Sequence, residues 1–320
     1  MPEPGGRAVQ GRNKTCGPGK EEIPLTARDY GFLLLTSPLG DPERKPLTVA
    51  QFRELTRRAR QMEKPLYDRE LTQKDLMSIG CSSTIAQRIL QLLSETEQLE
   101  WYLAKGKERN CEAVTRLNER YPGKLRNCLG LDAPATLWAK GNLALLEKPT
   151  IALVGSRDLR EENHHFAVAV GEEAARQGYT LVSGNARGAD KTAQEACLAA
   201  GGTVISVVAD ELDSHVRRSE NILYLSEDGF DLSFSPIRAL SRNRVIHALG
   251  EKTFVAQCTS GKGGTWDGTV KNLQKNWSPV YCFDDGSQAV GLLIQQGAVP
   301  ISQVQLQNIR ELQNPILSLF

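Results

Sequence analysis

The stretch 151–190 limits the possible folds of this chain more than any other. It opens IALVGSR, four apolar residues running into Gly155-Ser156-Arg157, and after a helical pattern continues YTLVSGNARGAD. Each half reads as a short buried strand that ends in a glycine-bearing loop and feeds a helix. Two such turns in succession build an open parallel sheet with a pocket at the carboxyl ends of its strands. Glycine lets the main chain approach a ligand, and the helix that follows offers unpaired N–H groups to an anion. A phosphate- or nucleotide-like ligand is expected at this rim.

The pattern repeats downstream. Strands are expected at 151–155, 180–183, 203–208, 253–257 and 279–283, with helices at 164–177, 190–200, 241–250, 268–275 and 287–296. Apolar runs of four to six residues favour parallel strands covered on both faces. The expected fold is α/β, an extended Rossmann-like parallel sheet with room for mixed edge strands. A helical domain precedes it, resembling a sterile-alpha-motif or helix-hairpin-helix module. In that domain Thr48 caps a helix, and Leu71 and Leu76 precede a turn at Gly80. A second helix then carries Ile85, Ile89, Leu92 and Leu93. For Gly80, packing is favoured over contact with DNA. CEAVTRLNERYPGKL reads as a further helix, and Trp138 as a docking residue. The expected divisions are a disordered leader at 1–22, the helical domain at 23–130, a linker at 131–150, the Rossmann-like domain at 151–300 and a tail at 301–320.

Charge is uneven. Residues 1–150 hold 24 Lys/Arg against 19 Asp/Glu, a net of +5, whereas residues 151–300 hold 14 against 18, a net of −4. A polyanion on the second part would need arginines placed locally at its rim. The seven cysteines form no CxxC pair, which argues against a zinc site and for a reducing compartment. No apolar run reaches membrane-spanning length, so a cytoplasmic protein with no membrane association is expected.

Three loops supply most of the site residues, and the SGKGGT loop the rest. Gly155, Ser156 and Arg157 end the first strand; Ser183, Gly184 and Arg187 end the second, where Asp190 is expected to cap the helix. The third, Ser241-Arg242-Asn243-Arg244, reads as a helix start with Ser241 as its cap. Two cations at a positive helix end are unfavourable unless an anion or an acid compensates. His247 reads as a packed histidine. In SGKGGT, Lys262, Gly264 and Thr265 can offer groups to phosphate, Thr265 as a cap, and Trp266 either stacks on a base or packs. Glycine follows Lys262, so this is no P-loop; GxGxxG and an acid for a ribose are also lacking. No catalytic arrangement and no metal or cofactor is implied.

Taken together, YPGKL, the APATLWAKGN segment, IALVGSR, LVSGNARGAD, TVISVV and SRNRVIHAL resemble the DNA-processing protein A (DprA/Smf) family over about 121–297. The resemblance implies a dimeric Rossmann-like protein that binds single-stranded DNA without catalysis. In natural transformation such a protein helps to load a RecA-type recombinase. Its phosphate pocket falls on the three loops named above. The glycine-rich SGKGGTWDG also resembles the cytokinin-activating phosphoribohydrolases. That keeps a second reading open, a binder or hydrolase of a small nucleotide, including sensors of defence systems.

Overall fold

A computed structural model describes residues 24–60, 70–215 and 220–312. The leader expected at 1–22 lies outside the described residues. The described residues open with five helices, α1 (Ala27–Thr36), α2 (Val49–Ala59), α3 (Gln73–Ser78), α4 (Ser83–Ser94) and α5 (Thr96–Glu108). The sequence reading missed α1, although Thr26 and Asp29 form a reciprocal capping box ahead of a buried Phe32–Leu35 run. Thr48 caps α2 as expected. Between α3 and α4 the chain turns at Gly80 with φ +88°; the Gly80 N–H donates to the Met77 carbonyl and the Cys81 N–H to the Leu76 carbonyl. This is a Schellman closure, and it uses both turn amides internally.

The remaining elements are β1 (Glu112–Thr115), α6 (Gly123–Leu129), β2 (Thr136–Gly141), β3 (Thr150–Val154), α7 (Glu161–Arg176), β4 (Thr180–Ser183), α8 (Ala189–Ala199) and β5 (Thr203–Val207). They continue with β6 (Ile222–Glu227), α9 (Pro236–Leu249), β7 (Thr253–Val255), α10 (Gly263–Lys275), β8 (Val280–Phe283), α11 (Gln288–Gln295) and β9 (Val299–Ile301). A 3-10 segment, Gln303–Glu311, follows. The strands form one sheet in the order β1-β2-β6-β5-β4-β3-β7-β8-β9. From β6 to β9 all pairings are parallel, while β2 is antiparallel to both β6 and β1.

Several expectations are corrected here. Residues 131–150 are no linker, because they contribute β2 to the sheet. CEAVTRLNERYPGKL is a strand and the start of a short helix, so the sheet begins inside the stretch expected to be helical. Residues 222–227, where no strand was expected, form β6, and 301–320 contains the end of β9 and a packed 3-10 segment with Leu306 and Ile309 buried.

Alternation along the strands sends Ile151 and Leu153 to one face and Ala152 and Val154 to the other. One face packs under α7, α8 and the 3-10 segment, the other under α6, α9, α10 and α11. Helices α7 and α8 lie close because Gly171 has no side chain; a Cβ there would come within 2.2 Å of the Ala193 carbonyl oxygen. Trp138 is fully buried and joins the sheet to the first helices, edge-on to Tyr102 at 5.1 Å and tilted on Phe230 at 5.0 Å. No helix among the described residues is long and apolar enough to cross a membrane.

His247, on α9, is packed as expected. Its Nδ1 lies 3.1 Å from Asn272 Nδ2, whose amide hydrogen it accepts, and 3.4 Å from the Thr253 hydroxyl. Burial pushes its pKa down from 6.5 to about 3. The unfolded chain therefore binds a proton below pH 6.5 that the folded chain refuses. The stabilisation is complete above pH 6.5 and is lost as the pH falls toward 3, at up to about 1.4 kcal/mol per pH unit. Urea titrations at pH 7.5 and 5.5 should show His247→Gln losing less stability on acidification than the natural chain, and equal losses would refute the assignment.

Candidate functional site

The sheet reverses its order of connection at β3. Strand β4 lies on one side and β7 on the other, so the loops leaving β3 and β7 diverge and open a crevice at their carboxyl ends. The crevice is a cavity of about 750 Å³. Gly155, Ser156, Arg157, Arg242, Asn243, Lys262, Gly264 and Thr265 all line it, as do Asp158, Asp190, Gln257 and Thr259. The first turns of α9 and α10 and the Ala186 turn before α8 reach it too, so three helix N-termini face the space. Their dipoles favour an anion there, and the first turn of α10, which no side chain caps, leaves N–H groups to receive it.

The loops are tied to one another. The Ser156 N–H donates to the Gln257 carbonyl at 2.9 Å, the Ala189 N–H to the Ser156 carbonyl at 3.1 Å, and the Thr265 hydroxyl to the Gly155 carbonyl at 2.9 Å. Asn243 donates to the Gly264 carbonyl at 3.0 Å. Gly188, at φ +84°, makes the closure possible; a Cβ there would meet the Ser156 and Arg157 carbonyl oxygens at 2.4 Å. Thr265 is the third residue of α10 and not its cap. Asp190 is likewise no cap; its carboxylate accepts from the Gly184 and Ala186 N–H groups and braces the loop that leads into its own helix.

Arg242 is the centre of the floor. Helix α9 begins at Pro236, with Ser235 as its capping side chain, so Ser241 is an interior residue. The expected conflict between two cations and a positive helix end is therefore absent. Arg242 is 7% exposed, and its Nη2 stands 4.0 Å from Asp190 Oδ2. Its Nε has no hydrogen-bond acceptor. The guanidinium lies over Gly184, where a Cβ would fall 1.5 Å from Nη1. Burial depresses the Arg242 pKa and raises that of Asp190, each opposed by the partner's charge.

Other expected residues are placed elsewhere. Arg187 is exposed and pairs with Asp158 at 2.8 Å on the surface. Arg244 is spent on Glu227 at 2.6 Å and on the Asp132 carbonyl at 2.9 Å. Ser183 and Gly184 are buried beneath the cavity and do not line it. Trp266 packs half-buried against the core.

The sequence reading missed the apolar wall. Phe234, Pro236, Ala239 and Leu240 line one side of the cavity, with Phe234 56% and Leu240 50% exposed. The loop bearing Phe234 is held from two directions. Arg238 donates to the Ala209, Leu232 and Ser233 carbonyls and to the Ser226 hydroxyl. From α5, the Tyr102 hydroxyl and Lys105 Nζ both reach Asp231, at 2.7 and 2.6 Å. The cue in the sequence was Ser235-Pro236, a cap followed by proline at the first helical position.

Known proteins match this chain in sequence and in fold. The DNA processing protein DprA of Bacillus subtilis (strain 168) is 29% identical over 229 residues, covering 66% of this chain and 76% of that protein. The X-ray structure of DNA processing protein A from Streptococcus pneumoniae superimposes with a TM-score of 0.65 at 25% identity, covering 88% of this chain and 96% of that one. The DNA processing protein A of Helicobacter pylori, whose structure describes a single-stranded DNA binding mode, has the same fold. It gives a TM-score of 0.52 at 23% identity, covering 62% of this chain and 93% of that one. The family model of DNA recombination-mediator protein A matches residues 112–312, from the first residue of β1 to the end of the 3-10 segment. The match takes in the whole sheet and every residue that lines the crevice, and the chain belongs to the DNA recombination-mediator protein A family.

Proposed function

We propose that the chain binds single-stranded DNA, with phosphate on the floor of the crevice and bases against its apolar wall. The observation that carries this reading is Arg242, a buried guanidinium with an unsatisfied Nε and an acid no closer than 4.0 Å. A buried donor without an acceptor is costly, and a phosphate oxygen would satisfy it with a charge-assisted hydrogen bond. Arg157 and Lys262, both exposed on the rim, add cations for the same or the next phosphate. Phe234 and Leu240 offer a surface on which any base can rest, which suits binding without base preference. The Helicobacter pylori relative supports this choice of ligand.

In this reading the protein acts without catalysis in DNA uptake and recombination, with a second copy of itself and a RecA-type recombinase as partners, in the cytoplasm. The α3–α4 unit resembles a helix-hairpin-helix but serves for packing. Its turn amides are spent internally, and Arg58 Nη1 donates to the Gly80 carbonyl at 2.6 Å. Leu76 and Ile89 are buried behind it.

Two arginines separate binding from folding. Arg157→Ala, at an exposed position, should weaken binding of a labelled oligothymidine about tenfold and lower the salt slope by about 0.7, with stability changed by less than about 0.5 kcal/mol. Unchanged affinity and slope would sink the reading. Arg242→Ala leaves Asp190 buried without its cation and should cost about 3 kcal/mol in urea unfolding as well as binding; full stability in that variant would show that the pair is not coupled. A mononucleotide that competes as well as the oligomer would favour the small-nucleotide alternative.

A further inference from the structure

Between Arg116 and Arg126 four cations, Arg116, Arg120, Lys124 and Arg126, stand against one acid, Glu119. The topology puts the first of them on the crevice's own edge. Since β2 is antiparallel to β6 and β1 is antiparallel to β2, β1 points the same way as β3. Its carboxyl end, where Arg116 follows Thr115, therefore lies on the rim that carries Gly155. Five strand spacings separate β1 from β3 in the sheet order, about 24 Å at the usual spacing.

The intervening edge is lined by three successive carbonyls with three side chains on them. Asp132 accepts from Arg244 Nε at 2.9 Å, Ala133 from Arg116 Nη1 at 3.3 Å and Pro134 from the Tyr121 hydroxyl at 2.8 Å. Arg126 stands over the Tyr121 ring at 5.6 Å. Cationic groups thus follow one another outward from Arg242 through Arg244 to Arg116 and Arg126. Neither Arg116 nor Arg126 has a carboxylate partner among the described residues. Burial, with the Arg126 charge adding to it, pushes the Arg116 guanidinium below its ordinary pKa. Arg116 and Arg126 repel each other, and an external polyanion would remove that cost. Leu117 and Leu131, 49% and 42% exposed, give apolar surface beside them.

We propose that a single strand seated at Arg157 and Arg242 continues across this edge with its phosphates on Arg116 and Arg126, so that the site is a track and not a cup. The inference rests on the reading of the crevice given above. Continuity with the crevice favours the same strand over a separate acidic protein.

The test uses the full chain and fluorescence anisotropy with labelled oligothymidines of about three and about fifteen nucleotides over a salt series. The long oligomer should show a steeper slope than the short one. Arg116→Gln combined with Arg126→Gln should lower the long oligomer's slope by about 1.4, two contacts at about 0.7 each, and leave the short oligomer unaffected. Arg310→Gln, an exposed change on the far 3-10 segment, controls for net charge. Arg126→Glu, at an exposed position, repeats the test should the double variant fail to fold. A long-oligomer slope equal to the natural chain's would overturn the track while leaving the crevice reading intact. Failure of the natural chain to bind either oligomer would overturn both.

Discussion

The crevice depends on one buried contact, the Arg242 guanidinium lying over Gly184 and facing Asp190. A cation there is desolvated on all sides, and a carboxylate at 4.0 Å repays only part of that cost. Asp190 Oδ2 also accepts from the Gly184 and Ala186 amides, which ties the carboxylate to the β4–α8 loop. The floor of the site is thereby held in a charged, incompletely satisfied state. Water has already left this guanidinium, so a charge-assisted hydrogen bond to it costs little further desolvation of the arginine.

The other parts of the site follow from that floor. Gly155 and Gly188 bring two loops together over it, and the Thr265 hydroxyl ties the α10 turn to the first loop. The acidic balance of residues 151–300 is no obstacle, because the positive groups are concentrated where three helix N-termini converge. Elsewhere in this part, arginines are largely neutralised at short range, as with Arg244 on Glu227 and Arg187 on Asp158.

The loops after β3 and β4 were legible in the sequence because each is a local event, an apolar run, a glycine and a helix start. The third was misread for a local reason too. Ser241 has the chemistry of a cap, yet Ser235-Pro236 upstream is the real start, hidden in a polar segment without periodicity. This error put Arg242 at a helix end where the structure puts it in the helix interior, on the floor of the cavity. Strands β1, β2 and β6 were not legible because their pairing is long-range. EAVT and TLWAKG become strands only because each finds the other and β6, and no propensity within four or six residues encodes that choice. Trp266 was chemically suited to stacking, but its position on α10 turns it to the core, whereas Phe234, set in a segment with no regular pattern, reaches the cavity.

The clamp on Asp231 makes the first helices and the sheet mechanically continuous. Tyr102 and Lys105 of α5 hold the backbone that carries Phe234, and Tyr102 also wedges between Trp138 and Phe230. One wall of the crevice is in this way anchored to a helix that precedes every strand of the sheet. A chain shortened to its sheet alone would keep the Arg242 floor and lose the strut behind the hydrophobic wall.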